Sequence, residues 1–454
     1  MINTNHVWGL KSLFLVAATL SLWSCSGSVP SRTAITLEAH KLIEQLETQG
    51  GVRQYLLPEA YALQSLPQDP HNPLTADKVK LGEWLFHETA LSFVSHNENS
   101  GTWSCASCHF ASAGFQDQRM QSLADGGVGN GRERHILNPE IPHARLDSPN
   151  LRSPSILNLG YQHNILWNGM AGGVGDNLNY QAQWTKSKPH GFNFLNLEGV
   201  ETQAIIALGV HRQTHDVMTY ESAHEPLSYL DQYPEYQRLF EQEFPGQPIS
   251  RKTIGLAIAA YERTVLSNEA PFQAFLKGNH QALYAEELRG AQLFFGKAQC
   301  ATCHTGPALN QENYYALGLK DMNVEFGPSP DEATRKGRGG FTQNPEDDYK
   351  FKVPQLYNLK SVGSLGHGGS FQSDTDQSAL EKIIRYKLKG VPENPEVPSQ
   401  QLAPAFTAMA QKQFSEDEIR ALVRFVQDGL YDAQLRRYEP RSLPSRQHII
   451  NHDH

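Results

Sequence analysis

The chain has 454 residues, enough for two or three domains, and its 39 basic and 48 acidic residues give a net charge of −9 with no block of like charge. That balance excludes an electrostatic nucleic-acid binder. Apolar residues make up 39% and charged residues 19%, beside Gly 36 and Pro 26, which excludes a disordered or fibrous chain, and no run of 18 apolar residues is long enough for a membrane span.

In chain order, the first element is an apolar run from Leu13 to Trp23 after Lys11. It is too short to cross a bilayer and matches the core of a secretory signal, so residues 1–24 are read as a signal peptide and the protein as exported. The run ends in Leu22-Trp23-Ser24-Cys25, which resembles a lipoprotein box with Cys25 as the lipidated residue. A lipid at Cys25 would be the only membrane attachment. Residues 25–74 then read as a tether and an N-terminal helix, with apolar positions Leu37, Leu42, Ile43 and Leu46. Ile249 to Leu266 and Glu286 to Phe295 are further helix candidates. Ser378-x-x-Glu381 and Ser415-x-x-Glu418 have the form of capping boxes, with Gly390 and Gly429 as stops. Residues 117–151 and 318–348 are rich in Gly, Pro, Asn and charge and read as long covering loops.

Apart from Cys25, every cysteine belongs to a C-x-x-C-H unit: Cys105-Ala-Ser-Cys108-His109 and Cys300-Ala-Thr-Cys303-His304. Two thiols at this spacing form thioethers to the two vinyl groups of one haem, and the following His reaches the iron. Each unit therefore predicts one covalent haem c. A shared four-thiolate zinc site or two redox dithiols would leave both histidines unexplained.

The surroundings of the two units repeat. Gly82-x-x-Leu85-Phe86 precedes the first and Gly290-x-x-Leu293-Phe294 the second; downstream, Pro154 to Leu159 mirrors Pro354 to Leu359. Thirteen residues after each Pro come Trp167-Asn-Gly169 and His367-Gly-Gly369. The fold expected is mainly α, two cytochrome-c-like haem domains related by an internal repeat. Their bounds are 75–245 and 246–436, with a tail at 437–454.

Ordered over about residues 75 to 430, these motifs resemble the bacterial dihaem cytochrome c peroxidases and their relative, the methylamine-utilisation dihaem oxidase. The resemblance rests on Lys80-Leu-Gly-x-x-Leu-Phe86, both C-x-x-C-H units, Leu166-Trp-Asn-Gly169, Gly199-Val-Glu-Thr-Gln-Ala204, Ala257-Ile-Ala-Ala-Tyr-Glu-Arg-Thr264 and Phe351 to Leu359 with His367-Gly-Gly369. It implies a peroxidatic haem on His109 and an electron-transfer haem on His304, with Trp167 as the bridging tryptophan. It also implies a distal Gln at Gln203, or at Gln181 in a second alignment. The family's distal Glu falls on His211-Arg212-Gln213, where no carboxylate stands, so His211 and Arg212 are the candidates to replace it.

The resemblance leaves three candidates for the distal ligand of the His304 iron: Tyr386, Lys387 and Met409. His135 and His143 lie in the loop from which some members cap the peroxidatic iron, without the usual Gly-His-Gly context. A calcium ion between the domains is also implied, although Arg152 stands where its Asn ligand would be, next to Asn150. The activity implied is reduction of hydrogen peroxide to water with electrons from a small cytochrome c or cupredoxin in the periplasm, by a protein for which the family suggests a homodimer. The alternatives are a dihaem oxidase acting on a protein or organic substrate and a non-catalytic dihaem electron carrier.

Overall fold

The computed structural model describes residues 32–92, 95–213 and 219–449. The signal run and Cys25 lie outside the described residues. The chain is mostly helical. Its longer helices are α1 (Arg32–Glu47), α2 (Ala76–His87), α3 (Gly199–Val210), α4 (Pro234–Glu243), α5 (Arg251–Glu262), α6 (Ala285–Phe295), α7 (Ala379–Lys389) and α8 (Glu416–Arg424). Apart from isolated bridges, strand pairing among the described residues consists of three antiparallel ladders of two residues a strand, pairing 127–128 with 135–136, 314–315 with 351–352, and 364–365 with 371–372. No helix among the described residues is long and apolar enough to cross a membrane.

Local chemistry accounts for the helix ends. Ser415 and Glu418 close a reciprocal capping box at the start of α8. At α7 only half of the expected box forms: Ser378 accepts from the Glu381 amide, while the Glu381 carboxylate turns to Arg385 and Gln377. Gly390 stops α7 in the left-handed region at φ 64, where a side chain would be strained. Helix α8 runs on through a π-helical turn, Phe425–Gly429.

The buried apolar residues fall into two main cores. One is built on α2, α3 and α5, the other on α6, α7 and α8. Helix α5, which the sequence-based boundary at 245/246 puts on the second side, packs into the first core through Ile254, Ala257, Ile258 and Tyr261. The same close contact occurs in each core. Gly82 of α2 lies against the Ala257 carbonyl and Tyr261 of α5, and Gly290 of α6 lies against the Ala421 carbonyl and Phe425. A Cβ at either glycine would collide with backbone, so Gly290→Ala is expected to cost about 1–3 kcal/mol through forced separation of α6 and α8, read as a lowered Tm.

Asn158 and Asn358 also match, both at φ 57. Asn158 Oδ1 accepts from the Ser267 amide at 3.0 Å, and Asn358 Oδ1 accepts from the Asp432 amide at 3.2 Å. Each asparagine thereby ties its Pro-x-x-x-Asn-Leu segment to the chain just beyond the last helix of its own core.

The two ends of the chain cross over. Helix α1 belongs to the second core, where Ala39, Leu42 and Leu46 are buried and Gln45 donates to the Gln292 carbonyl at 3.1 Å. At the other end, Leu435 and Tyr438 belong to the first core, and the Tyr261 hydroxyl donates to the Tyr438 carbonyl at 2.9 Å.

The 117–151 loop is organised by one buried cation. Arg134 is 1% exposed and donates to the carbonyls of Thr102, Leu123, Ala124, Gly127 and Gly129.

Candidate functional site

Each C-x-x-C-H unit forms a single 3-10 turn, Cys105–Ser107 and Cys300–Thr302, which delivers its histidine inward. His109 Nδ1 faces the Phe115 carbonyl at 3.2 Å; His304 Nδ1 faces the carbonyls of Leu309 and Pro354, each at 3.1 Å. An Nδ1–H donated to a carbonyl fixes the tautomer with Nε2 as the free electron pair, the arrangement that orients a metal-ligating imidazole. Burial, the largest influence, pushes His109 down to about 4; at His304 burial and then the nearby Lys387 charge push it down to about 3. Both rings are therefore neutral and available as ligands.

Burial raises the thiols of Cys105, Cys108 and Cys300, the last two to about 12. Among the described residues no three His, Cys, Asp or Glu side chains come together as a metal cluster, so the four thiols do not converge as a zinc site would require.

The two histidines open into one cavity of ≈ 520 Å³ with a mainly apolar wall. Its size and lining suit large flat prosthetic groups held by two thiols and one imidazole each. Arg152, Trp167, Phe351 and His367 line this cavity together. Trp167 Nε1 donates to the Arg152 carbonyl at 2.6 Å, and the Arg152 amide donates to the His367 carbonyl at 2.8 Å. The Trp167 and His367 rings lie 6.3 Å apart edge to face, and His367 stacks on Phe351 at 3.6 Å. The Arg152 guanidinium reaches Gln116 Oε1 at 2.7 Å and the Asp117 carbonyl at 2.6 Å. A fixed cation thus stands at the position from which the family resemblance would draw a calcium ligand.

The two ends of the cavity differ. Beside Cys105 and His109 lies a smaller recess that also holds Gln203, His211, Asp147 and Glu262. Gln203 Oε1 is buried without a partner, whereas Gln181 is exposed and away from the cavity. His211 Nδ1 lies 3.1 Å from Asp147 Oδ2, and its side chain keeps 35% exposure. Burial works to lower His211, but the Asp147 carboxylate outweighs it and the net shift is upward.

Arg212 turns away from the recess: its guanidinium pairs with Asp125 at 2.7 Å and with the Arg145 carbonyl at 2.9 Å. His135 bonds the Glu133 carbonyl and His143 packs on Phe326, neither of them lining the cavity. Asp147, 64 residues from His211, carries no motif, and nothing in the sequence singles it out.

Glu262 is the other group that sequence reasoning passed over. Its Oε2 is buried without a partner, and burial, reinforced by Glu201, raises it to about 8. A carboxyl raised in the folded state stabilises fully below its unfolded value and loses that contribution as pH rises through about 8. Glu262→Gln, which keeps the shape of the neutral acid, is therefore expected to flatten the fall in Tm between pH 5 and 8. An unchanged slope would show that the carboxyl ionises without cost.

At the other end, Leu380, Ile383, Ile384, Lys387 and Leu388 of α7 line the cavity with Met409. Tyr386 lies off this face; its hydroxyl donates to the carbonyls of Leu317 at 2.6 Å and Gly318 at 2.9 Å. The structure thus brings Lys387 and Met409 to the same wall as His304 and places Tyr386 outside it.

Residues 76–281 match the family model for di-haem cytochrome c peroxidase. The chain is 29% identical over 367 residues to methylamine utilization protein MauG of Methylorubrum extorquens, covering 80% of this chain and 81% of the relative. It is 27% identical over 350 residues to cytochrome-c peroxidase IdrP1 of Denitromonas iodatirespirans, covering 72% and 77%. A solved MauG-like protein associated with microbial copper homeostasis superposes with a TM-score of 0.59 at 24% identity, over 84% of this chain and 95% of the other.

Proposed function

We propose that this chain, whose residues 76–281 match the family model for di-haem cytochrome c peroxidase, reduces hydrogen peroxide to water with electrons from a small cytochrome c or cupredoxin. The observation that carries this reading is the continuous cavity lined by His109, His304 and Trp167, with Gln203, His211, Asp147 and Glu262 gathered beside His109.

Two covalently bound haem c groups, held by Cys105, Cys108 and His109 and by Cys300, Cys303 and His304, supply the one-electron redox chemistry when bound. Peroxide reduction takes up two electrons and two protons, and the chain's task is to orient the peroxide and move those protons. The Gln203 amide, with its unpaired oxygen, holds the peroxide O–H. The His211 imidazole, fixed by Asp147 through Nδ1, presents Nε2 to take a proton from one peroxide oxygen and return it to the other. Arg212 has no part in this step; it anchors His211 through Asp125. Trp167, pinned by its indole N–H, gives electrons a path from the His304 end to the His109 end.

The matching glycine and asparagine contacts support an internal duplication of a cytochrome-c-like unit. The division we propose follows the cores and falls after Val265 rather than at 245/246. Export to the periplasm with a lipid on Cys25 remains part of the proposal; Cys25→Ser should move the exported protein from the membrane to the soluble fraction, and retention at the membrane would count against the anchor.

The test is oxidation of a reduced one-electron donor by the haem-loaded protein, with and without hydrogen peroxide. Rapid peroxide-dependent turnover is the expected result, and negligible turnover with two intact haems would overturn the reading. A second reading, oxidation of a protein or organic substrate, is favoured by the substitution of His211 and Asp147 for a distal Glu at 211–213. Product analysis with a candidate substrate separates the two.

A further inference from the structure

The wall that holds His304 also contains a basic side chain with no ion-pair partner among the described residues. On α7 the cavity-facing positions are 380, 383, 384, 387 and 388, the spacing of one helix face. Four of them are Leu or Ile, and the fifth is Lys387. Two lysines line the cavity. Lys352 meets Glu312 at 2.7 Å, but Lys387 has no hydrogen-bond acceptor and no carboxylate partner among the described residues. An ammonium in an apolar wall without an anion is strongly disfavoured, whereas a neutral amine has an electron pair to give and needs only an acceptor for it.

The amine is near the right atoms. It lines the same cavity as Cys300, Cys303 and His304, the attachment and ligand groups of the second motif. The rival side chains have places of their own. Tyr386 spends its hydroxyl on two backbone carbonyls, and Met409 is 6% exposed in an apolar wall, where a thioether is at home as packing.

We propose that Lys387, through Nζ, is the protein ligand opposite His304, so that the second haem is held by an imidazole and a primary amine. The assignment rests on the dihaem reading above. Coordination forms one N–Fe bond from the lysine electron pair, and the ammonium proton leaves to solvent when the haem is loaded. A hard amine in place of a thioether lowers the potential of that haem and favours its ferric form.

The experiment uses the full-length haem-loaded protein in the ferric state, with near-infrared magnetic circular dichroism and electron paramagnetic resonance as readouts. The parent protein should lack the charge-transfer band of a thioether-ligated haem. Lys387→Met should gain that band, Lys387→Ala should lose the low-spin signal of the His304 haem, and Met409→Leu should keep the parent spectrum. Because Lys387→Met keeps the length of the side chain and produces a new signal, it distinguishes loss of ligation from loss of folding. A parent thioether band that disappears in Met409→Leu, or a Lys387→Met spectrum identical to the parent, would overturn the assignment. A haem content below two per chain would instead overturn the dihaem reading on which it stands.

Discussion

Exchange of His211 for alanine is expected to reduce peroxide turnover by roughly 10²–10⁴-fold, the usual contribution of a positioned acid/base group, with haem content and fold intact. The backbone at 211 keeps its place in that variant, since the contact from Trp103 Nε1 goes to the His211 carbonyl and needs no side chain. Asp147→Asn should give a smaller loss, confined to kcat. An amide can also accept from Nδ1–H, but it has no charge to stabilise the imidazolium, and in its other orientation it donates to Nδ1 and selects the wrong tautomer. Asp147→Glu should recover part of the activity. Turnover of His211→Ala within twofold of the parent would assign the proton transfer to another group of the recess, Glu262 being the first to test.

Arg134→Leu is expected to be the most destabilising single change in the 117–151 loop, costing about 3–5 kcal/mol. Five backbone carbonyls accept from this one guanidinium, and a leucine would strip the buried Leu123 carbonyl of this donor and leave those of Ala124 and Gly127 with only their remaining partners, the Gly127 amide and the Asn99 and Thr102 side chains. Arg134→Lys should be intermediate, because an ammonium offers three donors and no planar fork. The loop includes Asp147, so the leucine variant should also lose the orientation of His211. Thermal denaturation gives the first quantity, and limited proteolysis within 117–151 the second. A loss below 1 kcal/mol with an unchanged cleavage pattern would mean that the loop is held from elsewhere.

The two C-x-x-C-H turns were legible because they are local: thiols three apart and an adjoining histidine lie within one turn of backbone. The helix ends at Ser415 and Gly390 were legible for the same reason. A choice between Tyr386 and Lys387 was within reach of the sequence too, since extending the stripe Leu380, Ile383, Ile384 by one turn lands on 387 and 388 and excludes 386. Asp147 could not be found this way; its partner is brought to it by the fold of a loop that Arg134 organises, and no spacing encodes that contact. Arg212 was misplaced by the sequence reading because chain proximity to His211 says nothing about direction. At φ 51 its backbone swings the side chain towards Asp125. The boundary at 245/246 likewise followed the motifs, whereas burial groups α5 with what precedes it.

The crossed chain ends constrain the order in which the molecule can be completed. The first core needs Leu435 and Tyr438, and the second needs the α1 residues Ala39, Leu42 and Leu46. A chain delivered from its N-terminus therefore carries a first unit that stays open until residue 438 arrives, and Cys105 and Cys108 remain approachable throughout that interval. The two units also cannot be separated by a single cut without leaving each with an unfilled groove. A chain truncated after Asp432 should consequently be attacked by protease in its N-terminal half, far from the missing residues.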